Sequence, residues 1–231
     1  MSDILPDAII VDVSHWQPPD TVDWNAARTE GNVVGVVAKL TQGDVADPAA
    51  IDHLYNAYTA GITLLGVYDF GTASDDAQTF ITDALAEFGG DVKTRLIALD
   101  LERNPSNQMT VPKAEVWVQK IHDRLGRWPT LYMGKAGPDG TGHGLPSPTL
   151  ASCDLWLPAY GNHENNLAAI LPPGFKLPTS DTDRGGCLRM WQFTGDGINS
   201  PGPCPGLGDK VDRSYAIGFS SLAALTAWWG G

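Results

Sequence analysis

Apolar runs that stop on a polar or charged residue recur through the first half of this sequence, and they limit the fold more than any other feature. Residues 8–13 carry Asp12 near their end, 33–40 carry Lys39, 62–70 carry Tyr68 and Asp69, and 95–101 carry Asp100. Runs of this length, apolar without strict alternation, read as strands buried on both faces. The stretches between them carry helix boundary signals. Asp23 precedes a short helix over 24–30, and Gly31 follows it. Asp47-Pro48 opens a second helix that ends before Gly61, residues 75–88 run into Gly89-Gly90, and Val111-Pro112 starts a helix to about Leu125. An acid or proline at the start and a glycine after the end are the usual stops. Strands alternating with helices predict a parallel sheet with both faces covered.

The second half keeps the strands and loses most of the helices. Residues 129–133, 153–160 and 187–193 read as strands five to seven, 210–213 as an eighth, and 220–229 as a closing helix. A Gly/Pro/Ser-rich loop over 134–148 and an irregular stretch over 161–183 separate them. Eight strands permit closure. The predicted fold is therefore α/β, a TIM-like barrel of eight strands with fewer helices, of (β/α)5(β)3 type. No linker or composition shift divides residues 1–231, so one domain is expected.

Composition excludes several partners. With 27 acids against 15 bases the net charge is −12, which disfavours nucleic acid and anionic membranes, both bound chiefly through Lys and Arg. No apolar run is long enough to span a bilayer, so no membrane insertion is expected, and the amino terminus lacks a basic leader with a long apolar segment. Three cysteines, Cys153, Cys187 and Cys204, fit no zinc spacing. They read either as reduced core thiols or as a Cys187–Cys204 pair with Cys153 free. No cofactor is implied, and a monomer is expected.

The fourth strand carries the chemistry. In Leu99-Asp100-Leu101-Glu102 two carboxylates share one strand face, about 7 Å apart along the backbone at ~3.3 Å per residue. The bland account is a helix-capping Asp beside a surface ion pair. The functional account is a retaining glycosidase, whose carboxyl pair sits roughly 5–5.5 Å apart. In barrels of this type the functional face lies at the carboxyl ends of the strands. That rule gathers Asp12, Lys39, Tyr68 with Asp69, Asp100 with Glu102, Tyr132, Tyr160, Trp191 with Gln192, and Asp212 on one rim. Rings that stack on pyranose faces, beside acids and amides that bind hydroxyls, suit a sugar site. Trp156 is expected in the core instead. Asp12, Asp100, Glu102 and Asp212 could also hold Mg²⁺ or Ca²⁺ in a metal-dependent hydrolase, although no accompanying His pair is seen and no metal site is assigned.

Taken in order, these pieces resemble glycoside hydrolase family 25, the Chalaropsis-type lysozymes. The match runs through Val11-Asp12-Val13-Ser14-His15-Trp16-Gln17, Val22-Asp23-Trp24, Lys39-Leu40-Thr41-Gln42-Gly43, Gly66-Val67-Tyr68-Asp69-Phe70 and Asp100-Leu101-Glu102. It continues at Trp156-Leu157-Pro158-Ala159-Tyr160, Met190-Trp191-Gln192-Phe193 and Val211-Asp212. The resemblance implies a flattened eight-stranded barrel, with peptidoglycan glycan strands as the partner. It implies cleavage of the β-1,4 bond between N-acetylmuramic acid and N-acetylglucosamine. Glu102 would be the general acid/base, with a raised pKa. Asp100 would be either the nucleophile or the group that stabilises attack by the substrate's own acetamido oxygen. Asp12 and Asp212 would complete the acidic floor, and Lys39, Tyr68, Asp69, Tyr132, Tyr160, Trp191 and Gln192 would contact substrate. Two positions depart from the family pattern: Gln42 stands where Glu is usual, and Asp69 where His is usual. They keep a second reading open, a catalytically silent glycan-binding module on the same barrel. No separate wall-binding module is expected. The missing leader fits a phage endolysin, held in the host cytoplasm until a holin releases it; a secreted enzyme is the alternative.

Overall fold

The computed structural model describes residues 4–74, 77–134, 147–160, 188–195 and 202–230. The strands are β1 (Ile4–Val13), β2 (Val33–Gln42), β3 (Val45–Ala46), β4 (Leu64–Phe70), β5 (Leu96–Asp100), β6 (Thr130–Tyr132), β7 (Asp154–Pro158), β8 (Leu188–Thr194) and β9 (Asp212–Ile217). Five α-helices lie among the described residues: α1 (Trp24–Thr29), α2 (Ala50–Thr59), α3 (Ala77–Phe88), α4 (Val111–Leu125) and α5 (Leu222–Trp229). The sheet order is β1-β9-β8-β7-β6-β5-β4-β2-β3, and a β1–β2 pairing closes it. The two-residue β3 only extends the edge of β2, so eight strands make the barrel. This is the (β/α)5(β)3 arrangement expected from the sequence.

Local chemistry sets the element ends. Asp23 caps α1, its carboxylate accepting from the Ala26 N–H at 3.0 Å. Helix α4 buries Ala114, Trp117, Val118 and Ile121, an i, i+3, i+4, i+7 stripe. It stops at Gly126, whose φ of 79° lets its N–H reach the His122 carbonyl. The final helix turns back on the barrel. Trp229 packs with Ile10, Val37, Leu64 and Leu96 inside the barrel and donates its indole N–H to the Leu65 carbonyl at 2.8 Å. Its ring fills the space left by Gly35, where a Cβ would lie 3.0 Å from it.

Strand β9 runs antiparallel to both neighbours. The eighth strand thus begins at Asp212 and extends to Ile217, rather than spanning 210–213. Asp212 is its first residue, not its last. Because the strand is reversed, its amino end reaches the rim where the other strands have their carboxyl ends. Asp212 pairs directly with Asp12 across the β1–β9 ladder.

Alternation along the strands divides the core into two. Ile10, Val37, Leu64, Leu96, Ala98, Met190 and Ala216 fill the barrel interior. Val11, Val36, Val67, Ile97, Leu99 and Leu155 face outward and join the apolar faces of the helices. On each inward row the chemistry changes near the rim: Ile10 gives way to Asp12, Val37 to Lys39, Leu64 to Tyr68, Ala98 to Asp100, and Met190 to Gln192. One end of the barrel is packed with hydrocarbon and the other is lined with polar groups. The stretches 135–146 and 161–187, which hold most of the predicted long loops and Cys187, lie outside the described residues. Cys153 and Cys204 are buried free thiols.

Candidate active site

The polar end of the barrel opens into a cavity of about 780 Å³. Its walls include Asp12, Lys39, Tyr68, Asp100, Glu102, Tyr132, Tyr160, Gln192 and Asp212. Nine of the eleven residues singled out in the sequence are therefore brought together. The other two are not.

Asp69 and Trp191 face away from the cavity. Each neighbours a residue that points in, Tyr68 and Gln192, and consecutive strand residues take opposite faces. Asp69 is buried between the barrel and α4, where its carboxylate accepts from the Thr41 hydroxyl at 2.7 Å and the Trp117 indole at 2.8 Å. Trp191 packs in the outer core and donates to the Ala159 carbonyl at 2.8 Å. Trp156, expected in the core, is buried in the barrel interior, where it also borders the cavity and donates its indole N–H to Ser214 Oγ at 2.9 Å.

Gln42 reaches the cavity through an irregularity. The β2–β4 register shifts between Lys39 and Thr41, so Thr41 turns outward to Asp69 and Gln42 turns in. Its side-chain oxygen then accepts from Lys39 Nζ at 3.2 Å. Lys39 is buried within the wall and also pairs with Asp47 at 3.4 Å.

Gln192 organises the floor. Its Oε1 accepts from the hydroxyls of Tyr132 at 2.9 Å and Tyr160 at 2.6 Å. Its Nε2 donates to Asp12 at 3.0 Å and to Asp212 at 3.4 Å. One buried amide thus spends its donors on two carboxylates and its acceptor on two phenols. Burial, with the nearby carboxylates, pushes the hydroxyls of Tyr68, Tyr132 and Tyr160 up, so all three remain protonated donors. The rim beside Tyr160 is tight: a Cβ on Gly195 would lie 2.7 Å from the Tyr160 hydroxyl and 3.0 Å from Asp212.

Asp100 and Glu102 carry the sharpest electrostatics. Asp100 ends β5, and its Oδ1 is buried without a hydrogen-bond partner. Burial, then the charges of Glu102, Asp12 and Asp69, raise its pKa well above the usual carboxylate range, and Lys39 opposes them. Glu102 lies two residues on, half-buried, where the chain leaves the sheet. Gln108, which the sequence reading missed, fixes that exit. Its amide donates to the carbonyls of Glu102 at 3.1 Å and Met109 at 3.0 Å, while its oxygen accepts from the Asn104 N–H at 2.8 Å. Among the described residues, no three His, Cys, Asp or Glu side chains are grouped so as to hold a metal ion.

The sequence that builds this acid-lined cavity matches a family model, "Glycosyl hydrolases family 25", over residues 11–201. The chain belongs to family 25. It is accordingly a glycoside hydrolase. Solved structures of similar fold include a muramidase from Trichobolus zukalii, at 22% identity and TM-score 0.68, covering 97% of this chain and 99% of that one. A bacterial lysozyme from Streptomyces coelicolor is 23% identical with TM-score 0.68, covering 96% and 97%. The catalytic domain of endolysin ply40 from Listeria monocytogenes bacteriophage P40 is 19% identical with TM-score 0.59, covering 97% and 98%. Among curated protein sequences none matches. The four acids that the sequence resemblance singles out, Asp12, Asp100, Glu102 and Asp212, all line the cavity. The two positions expected to depart from the family pattern differ in place: Gln42 lies in the cavity wall, Asp69 in a buried contact outside it.

Proposed function

We propose that this chain is a peptidoglycan hydrolase that cleaves the β-1,4 bond between N-acetylmuramic acid and N-acetylglucosamine. The observation that carries the reading is that Asp100, the last residue of β5, and Glu102, two residues on, both line a cavity large enough for sugar rings. Family membership and the fold shared with muramidases and lysozymes support it.

Glu102 protonates the leaving glycosidic oxygen and later takes a proton from the incoming water. Asp100 acts as a carboxylate from the same strand, either attacking the anomeric carbon or accepting from the acetamido N–H while the acetamido oxygen attacks. A strongly perturbed carboxyl in a cleft is the electrostatic pattern such chemistry uses. Asp12 and Asp212, tied together through Gln192, form a fixed negative floor under the sugar that becomes cationic in the transition state. Protonated Tyr68, Tyr132 and Tyr160 line the same wall. The site of action is the cell wall, and the likeness to a phage endolysin domain supports release from the host cytoplasm at lysis.

The test is a digest of purified peptidoglycan by the wild-type protein and by Glu102→Gln, with new reducing ends identified by mass spectrometry. Muramic-acid reducing ends from wild type alone are expected. Glucosamine ends would overturn the bond assignment, and undiminished turnover by Glu102→Gln would overturn the assignment of the acid. Wall binding without any product would favour the silent glycan-binding module.

A further inference from the structure

Trp16 stands at the mouth of the cavity, 77% exposed. Scattered exposed apolar residues are ordinary and need no purpose. What distinguishes Trp16 is how firmly its surroundings are held. The His15 ring lies against the indole, with centroids 4.8 Å apart and planes 36° from parallel. His15 is in turn fixed at two points by one carboxylate oxygen: Asp47 Oδ2 bonds its ring Nδ1 at 2.7 Å and its backbone N–H at 3.2 Å. Asp47 is buried, and its second oxygen accepts from the Ala49 N–H at 3.0 Å. Burial alone would push this carboxyl up. The bonds from His15 and Ala49 and the charge of Lys39 outweigh it and hold Asp47 below its ordinary value, ionised.

The backbone of the turn is equally constrained. Ser14 N–H donates to Gln17 Oε1 at 3.0 Å, Gln17 N–H returns a bond to the Ser14 carbonyl at 3.0 Å, and Trp16 N–H donates to Ser14 Oγ at 3.3 Å. From below, His53 Nε2 bonds the same Ser14 carbonyl at 3.2 Å. A turn anchored through a buried carboxylate and a buried histidine presents a large aromatic ring to solvent beside the acids. Such preorganisation removes the ordering cost of binding before any ligand arrives.

We propose that Trp16 is a stacking platform for the apolar face of a pyranose ring, a subsite at the edge of the cleft beyond the bond being cut, with His15 and Asp47 as its positioning residues. The ligand class is an uncharged hexosamine ring of a glycan strand. The proposal rests on the glycosidase reading above and adds a contact for the glycan at one end of the cleft.

Two measurements separate its failure from that of the broader reading. In steady-state digestion of soluble glycan strands, Trp16→Ala is expected to raise KM about tenfold, the order of a lost aromatic stacking contact, with kcat changed by less than about twofold because uniform binding is removed. Trp16→Tyr should recover most of the loss. Independently, adding N-acetylglucosamine oligomers to the Glu102→Gln protein should change its tryptophan fluorescence, and adding Trp16→Ala should abolish that change. An unaltered KM in Trp16→Ala, or a fluorescence change that survives it, overturns the platform while leaving the hydrolase standing. Absence of turnover in wild type would strike the hydrolase, and the fluorescence titration would still decide the platform.

Discussion

Replacing Asp69 separates the two faces of β4 most sharply. The carboxylate accepts two hydrogen bonds in a buried site, from Thr41 at 2.7 Å and Trp117 at 2.8 Å. Asp69→Ala leaves a hydroxyl and an indole N–H buried without that acceptor, at about 1–3 kcal/mol each. A total of roughly 2–6 kcal/mol, at about 2–4 °C per kcal/mol for a chain of this size, lowers Tm by on the order of 10 °C. Asp69→Asn behaves differently. Its carbonyl can serve the indole and its NH₂ can donate to Thr41, whose hydroxyl rotates to accept, so a loss of about 1 kcal/mol or less is expected. Since the side chain points away from the cavity, neither variant should change KM for glycan when assayed well below its Tm. Removing the charge has one effect at a distance. Asp100 is held up first by burial and then by Glu102, Asp12 and Asp69, so Asp69→Asn should move the acid limb of the pH–rate profile to lower pH. Thermal melts and steady-state kinetics on the three proteins test the argument. A raised KM with unchanged Tm would mean that Asp69 faces substrate and that the alternation reasoning is wrong.

Gln192→Leu removes the donor shared by Asp12 and Asp212 and the acceptor shared by Tyr132 and Tyr160. It should lower kcat/KM by about a hundredfold or more through misplacement of the floor, and kinetics near wild type would show that the two acids hold their places without it. Asp100→Asn should stabilise the protein while abolishing or greatly slowing turnover. A carboxyl whose folded pKa is raised binds its proton more tightly in the native state, so wild-type stability declines as pH rises from ~4 through the raised value. The Tm advantage of Asp100→Asn is therefore small in acid, grows over that window and levels off above it. A variant less stable than wild type at neutral pH would contradict the assigned direction.

Strand order, barrel closure and the acidic rim were legible because they depend on composition along each run. Apolar stretches ending in acids mark buried strands and their exits, whatever the exact register. Which face a given residue takes depends on a single position, and there the reading failed twice. The carboxyl-end rule gathers Tyr68 with Asp69, and Trp191 with Gln192, on one rim, and strand neighbours cannot both face it unless the strand bulges. The two-residue period sends Asp69 outward from inward-facing Tyr68, and Trp191 outward from inward-facing Gln192. Gln42 was beyond that rule, since only the register shift in β2 turns it inward. Asp212 reached the right rim for a different reason than expected, through reversal of β9 rather than the carboxyl end of a parallel strand. Gln108 and the hub role of Gln192 depend on contacts between loops and strands far apart in sequence, which no local pattern carries.

The reversal of β9 also bears on how such an enzyme is made. This strand inserts between β1 and β8, so every earlier strand can be in position while the sheet still gapes along two unpaired edges. Until β9 docks, Asp12 lacks its cross-strand partner and Gln192 has only one carboxylate to hold. Closure of the barrel and the meeting of Asp212 with Asp12 and Gln192 are thus a single event. Asp212 and the strand that closes the barrel therefore arrive together, so a sheet that has not closed cannot set Asp212 beside Asp12.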